Sequence, residues 1–204
     1  MPDIDFAQVF IVFIVLLFSL TVHEAAHAWS AYRLGDPTAR DLGRISLNPA
    51  VHIDPIGTIV FPLIALMTNL PVLGWAKPVP VNILNLRANW KQKYMGIAAA
   101  GPASNIVLAV IAAILRGILG PESSISEILR IAIVLNVLLA VFNMIPIPPL
   151  DGGNVLSGLL RGNAAEAFDK LRPYGFLILY GLMFTGVLSA LMNPPLGFFL
   201  SFLL

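Results

Sequence analysis

A chain of 204 residues with 58% hydrophobic and 11% charged side chains cannot cover a water-soluble surface, because soluble domains carry about 25% charged residues. Its formal net charge of +1 offers no basic field for nucleic acid. Cysteine is absent and histidine occurs three times, so disulfides and thiolate ligands are excluded and any metal must be held by His, Asp or Glu.

These limits define an integral membrane protein, all-α and polytopic, with residues 1–204 forming one membrane-embedded domain. The opening Met1-Pro2-Asp3-Ile4-Asp5 lacks the positive start of a signal peptide, so the first apolar segment reads as a retained span. That segment, Phe6 to Arg33, is interrupted only by Glu24, with His23 and His27 beside it. Pro55–Ala76, Tyr94–Leu115, Ile131–Leu150 and Pro173–Leu204 hold no Asp, Glu, Lys or Arg.

A spanning helix takes about 20 residues. The first, third and fourth segments satisfy this. The last holds one span near Pro173 to Leu191, then a short apolar tail after Asn193-Pro194-Pro195. Pro55, Gly57, Pro62 and Pro71 interrupt the second stretch, so residues 55–71 are expected to enter the membrane and return. The expectation is about four to five transmembrane helices plus this re-entrant segment. Residues 38–48 and 77–83 are short and turn-rich, and their Ile, Val and Leu positions predict short membrane-associated β-strands.

Charge placement orients the chain. The loop with Lys77, Arg87, Lys91 and Lys93 holds no acid and is assigned to the cytoplasm, as is the loop with Arg33, Arg40 and Arg44. The chain then starts outside, crosses inward to about Leu34, goes outward through 94–115 and returns through 131–150.

The sharpest chemical signal is His23-Glu24-Ala25-Ala26-His27. Helical residues four apart share a face, so both imidazoles can bind one zinc ion, with Glu24 placed as general base toward the hydrolytic water. Ionisable groups inside a bilayer each cost roughly 2.5 kcal/mol or more and usually mark function. His23 precedes Arg33 by ten residues (33 − 23). At 1.5 Å per residue it lies about 15 Å from that helix end, within the bilayer yet reachable from the cytoplasm.

Two histidines leave a catalytic zinc site short of a third protein ligand. The candidates are His52 and the acids of the buried regions, chiefly Asp151. Asp151 opens Asp151-Gly152-Gly153 and reads equally well as a turn or helix-cap aspartate.

The chain resembles the site-2 proteases, intramembrane zinc metalloproteases, in a compact bacterial-type branch without PDZ or CBS domain. The resemblance rests on His23-Glu24-x-x-His27 in a span and Asn143-x-x-Pro146-x-Pro148-Pro149-Leu150-Asp151-Gly152 near the end of another. Gly35-Asp36-Pro37, Gly43-Arg44-Ile45-Ser46-Leu47-Asn48-Pro49, His52-Ile53-Asp54-Pro55, Gly74-Trp75-Ala76-Lys77-Pro78-Val79-Pro80 and Gly101-Pro102-Ala103-Ser104-Asn105 follow the same pattern in order.

The resemblance implies one zinc ion held by His23, His27 and Asp151. It makes Asn143 the amide that supports the oxyanion or substrate backbone, a role a hydrogen-bond donor can fill. Asn48, His52 and Asp54 become candidates for substrate contact or gating. Prolines 146, 148 and 149 interrupt helical hydrogen bonding just before Asp151. Small residues along 96–104 read as a close-packing face between the His and Asp helices, with Asn105 a structural contact within it.

The implied function is a zinc endopeptidase acting on membrane proteins within or near their transmembrane segments. Its implied setting is the bacterial inner membrane, with the site toward the cytoplasm and with membrane protein substrates and lipid as partners. The competing reading is a metal transporter or metal-binding scaffold without hydrolysis, which would not need Glu24 between the histidines.

Overall fold

The computed structural model describes residues 6–60, 64 and 75–204. Helix α1, Phe6–Arg33, has two unlike halves. Phe6, Val9, Phe10, Phe13 and Ile14 are exposed, whereas Ser19, Thr21, His23, His27, Ala28, Ser30 and Ala31 are buried. The first half offers an apolar surface to lipid, and the second half meets the rest of the protein.

The short α2 (Thr38–Asp41) and α3 (Ile83–Leu86) precede α4 (Trp90–Leu119) and α5 (Ser124–Asn143). Then come α6 (Asp151–Leu159), α7 (Asn163–Asp169), α8 (Gly175–Phe184) and α9 (Val187–Leu203). Helix α4 is the hub, packing against α1, α5 and α6. Ala109 and Ala112 of α4 interlock with Ile133, Val137 and Val141 of α5, and α9 covers them with Met192, Leu196 and Phe199. Small side chains on α4 permit this close approach.

Phe6–Arg33, Trp90–Leu119 and Ile125–Asn143 are long and apolar enough to cross a membrane. A fourth is possible only if Asn163–Phe184 and Val187–Leu203, bent by 81°, together make one span. The expected four to five spans are thus three or four among the described residues. The bend falls at Gly186, whose φ of 75° ends a right-handed helix. Pro194 and Pro195 do not end the helix at a tail, as expected, but lie inside α9.

The strand expectation is corrected: no strand occurs among the described residues. In 38–48, Thr38–Asp41 turns helical because the Asp36 carboxylate accepts from the Thr38 N–H at 3.1 Å and its hydroxyl at 2.6 Å. In 77–83, Pro78 and Pro80 have no N–H to give a ladder. Two of the donors that remain go elsewhere: the Lys77 N–H to the His52 carbonyl at 2.8 Å, and the Asn82 N–H to Asp36 Oδ2 at 2.6 Å. The re-entrant assignment for 55–71 falls mostly outside the described residues, which here include a π-type turn at Pro55–Val60 and Ile64.

Candidate metal centre

Three donors from two distant parts of the chain converge. Nε2 of His23 lies 3.0 Å from Nε2 of His27, and Asp151 Oδ2 lies 3.1 Å and 3.3 Å from them. These three form the His/Asp/Glu cluster able to hold a metal among the described residues. Helical spacing brings the histidines together. The carboxylate arrives because α5 ends at Asn143 and the chain doubles back through 144–150 before α6 begins at Asp151.

That return is tightly packed. A Cβ on Gly152 would lie 2.2 Å from the Met144 carbonyl oxygen, and one on Gly153 would lie 2.7 Å from the Ile147 carbonyl carbon. A Cβ on Gly175 would lie 2.2 Å from the Pro148 carbonyl oxygen. The glycines after Asp151 thus let α6 seat against the proline-rich loop, which aims the carboxylate.

The other ring nitrogens are already engaged. His23 Nδ1 is 2.6 Å from Asn105 Oδ1, and His27 Nδ1 is 2.7 Å from the Ile97 carbonyl oxygen. Both partners accept, so each neutral ring carries its proton on Nδ1 and turns a bare Nε2 lone pair toward Asp151. Two lone pairs and a carboxylate at these separations repel unless a cation lies between them. Zinc bonds of about 2.0–2.1 Å in a tetrahedron place donors about 3.3–3.4 Å apart, close to the observed triangle. Nitrogen and carboxylate donors suit zinc chemistry, so the residues fit the group.

The floor is a glycine. A Cβ on Gly101 would lie 2.3 Å from His27 Nε2 and 2.5 Å from His23 Nε2. In sequence Gly101 belongs to a stripe of small residues, and its spacing of four from Ile97 and Asn105 is the signal that one α4 face supports both histidines. The Ile97 carbonyl carries no side-chain signature at all.

Beside the donors lies a cavity of about 480 Å³ lined by His23, Glu24, His27, Tyr94, Asn143 and Asp151, and also by Trp75, Ala76, Pro78, Val79 and Val81. Glu24 is half-buried there. Asn143 also reaches the cavity, while its Nδ2 donates to the Leu139 carbonyl at 3.0 Å in its own helix.

Asn48, His52 and Asp54 are not on this lining. Asn48 caps the turn Pro49–Val51 by accepting from the Ala50 N–H at 3.0 Å. Asp54 accepts from the Ile56 and Gly57 N–H groups at 2.9 Å and 2.7 Å. His52 is buried, with Nε2 2.9 Å from the Ser46 carbonyl oxygen.

Such a donor set, sunk in an apolar helical bundle beside a carboxylic acid and a cavity, defines a metalloprotein of the membrane. The model of Peptidase family M50 matches residues 118–185. The chain is 36% identical over 195 residues to the candidate zinc metalloprotease YwhC of Bacillus subtilis (strain 168), spanning 90% of this chain and 84% of that protein. It is 32% identical over 193 residues to the candidate zinc metalloprotease Rip2 of Mycolicibacterium smegmatis, spanning 91% and 71%. No solved structure matches significantly. The chain belongs to peptidase family M50, the site-2 protease family, and is a zinc metalloprotease. The resemblance drawn from the motifs is borne out.

Proposed function

We propose that this enzyme hydrolyses peptide bonds within or near the transmembrane segments of other membrane proteins, from a site facing the cytoplasmic side of the cell membrane. The observation that carries this reading is the His23, His27 and Asp151 triangle beside Glu24 on a cavity, with both histidines and Glu24 on a helix able to cross a bilayer.

His23, His27 and Asp151 would hold the metal. A zinc ion there would supply a Lewis acid for the scissile carbonyl and would lower the pKa of its water to about 7. Glu24 takes the proton of the attacking water and returns it to the leaving amine. The Asn143 amide donates toward the carbonyl oxygen as charge develops there. The target must be locally extended, because a helical peptide bond is shielded by its own turn. The apolar wall from Trp75 to Val81 gives such a segment a surface to lie along.

The test is cleavage of a panel of single-span proteins in proteoliposomes, comparing the wild type with Glu24→Gln. Cleavage inside or beside the span by the wild type alone is expected. Cleavage restricted to soluble domains would overturn the reading.

A further inference from the structure

The Asn105 side chain that meets His23 belongs to a closed polar chain across three helices. Asn105 is fully buried, Asn136 of α5 is 2% exposed and Ser19 of α1 is fully buried. Asn105 Nδ2 donates to the Ser19 carbonyl at 3.3 Å and to Asn136 Oδ1 at 2.9 Å. Asn136 Nδ2 donates to Ser19 Oγ at 2.9 Å and to the Ala132 carbonyl at 2.9 Å. The Ser19 hydroxyl donates to the Val15 carbonyl at 2.8 Å. Every amide and hydroxyl proton in the chain has an acceptor.

The direction of this chain is fixed by chemistry. Main-chain carbonyls only accept. The Ser19 carbonyl therefore forces Asn105 to present Nδ2 on that side and Oδ1 toward His23. The Ala132 carbonyl forces Asn136 to present Nδ2 there and Oδ1 toward Asn105. A reversed Asn105 would set its oxygen against the Ser19 carbonyl and Asn136 Oδ1, and its NH₂ against His23 Nδ1. His23 would then carry its proton on Nε2, which would block the metal side.

We infer that Asn136, which touches no ligand, is a positioning residue for zinc: through Asn105 it holds His23 in the tautomer and orientation that bind the ion. Partners that orient a ligating histidine typically contribute 10–100-fold in metal affinity. The inference rests on His23 being a zinc ligand. A purely structural role predicts something different, since interhelical hydrogen bonds in membranes contribute modestly to stability and their loss would leave affinity alone.

The experiment is zinc affinity of the full chain in detergent, measured by chelator competition, beside helix content and thermal stability of the zinc-free protein. Asn136→Leu is expected to raise the zinc Kd about tenfold, and Asn105→Leu by 10–100-fold. Asn136→Ala removes the same acceptor from Asn105 without adding bulk and is expected to raise the Kd by a similar factor of about ten; it decides the question if a leucine variant fails to fold. A zinc Kd unchanged in the Asn136 variants that fold would overturn the inference. A wild type that binds no zinc would instead overturn the metal reading beneath it.

Discussion

Gly101 and His27 stand so close that a Cβ on the glycine would fall 2.3 Å from the imidazole Nε2. Alanine there would occupy the space of the metal. Within a helix, however, alanine is favoured over glycine by about 1 kcal/mol. Gly101→Ala is therefore expected to fold with unchanged helix content yet lose zinc by more than about 100-fold. Metal analysis of the purified variant checks this, and stoichiometric zinc would show that the floor has room to retreat.

Glu24→Gln removes a proton acceptor but no ligand. We expect full zinc content and loss of cleavage, since general-base catalysis contributes about 10²–10⁴-fold. Turnover equal to wild type would assign the base elsewhere.

Asp151→Ala removes one corner of the donor triangle and leaves two neutral nitrogens to hold a doubly charged ion inside an apolar bundle. Zinc should be lost. His52→Ala should retain zinc, because His52 lies outside both the donor triangle and the cavity lining. Metal content of the two variants decides, and the reverse pattern would move the third ligand to His52.

The residues of this site differ in how far the sequence betrays them. His23, Glu24 and His27 are legible because their spacing is local and their polarity interrupts an apolar run. Asp151 is separated from them by more than 120 residues, and on its own spacing it read equally as a turn aspartate; only resemblance singled it out. Gly101 was visible as a small residue, but which group it lets approach depends on a tertiary contact that no local pattern encodes. The strands failed for a related reason. Val79 and Val81 alternate as a strand should, but Pro78 and Pro80 take two donors out of the run, and Asp36 draws the Asn82 N–H into a different contact.

Asp36 supplies a pH test outside the membrane. It is fully buried between the end of α1 and residues 82–85. Burial alone would raise its pKa, but hydrogen bonds from Asn85, Thr38 and Asn82 outweigh that and hold the carboxyl below its usual value. A lowered folded pKa stabilises the fold above the unfolded value of about 3.9, and that contribution is lost as pH falls through the folded value. The stability advantage of wild type over Asp36→Asn, measured on zinc-free protein, should be full above about pH 5. It should shrink steadily below about pH 4. An advantage that persists undiminished at the lowest pH would refute the linkage.

Near the end of α1, Arg33 lies over the Trp29 ring at 5.4 Å and Arg40 over Tyr32 at 4.7 Å, an aromatic and cationic girdle of the kind that sits at a bilayer surface. His27 and His23 precede Arg33 by six and ten residues (33 − 27 and 33 − 23), hence about 9 Å and 15 Å in along a helix. An extended target gains about 3.3 Å per residue. On the proposed reading, it would cover the same depth in about three to five residues. The scissile bond would then be counted from the target's own cytoplasmic flank, a few positions inside its last charged residue, whatever the total length of the span being cut.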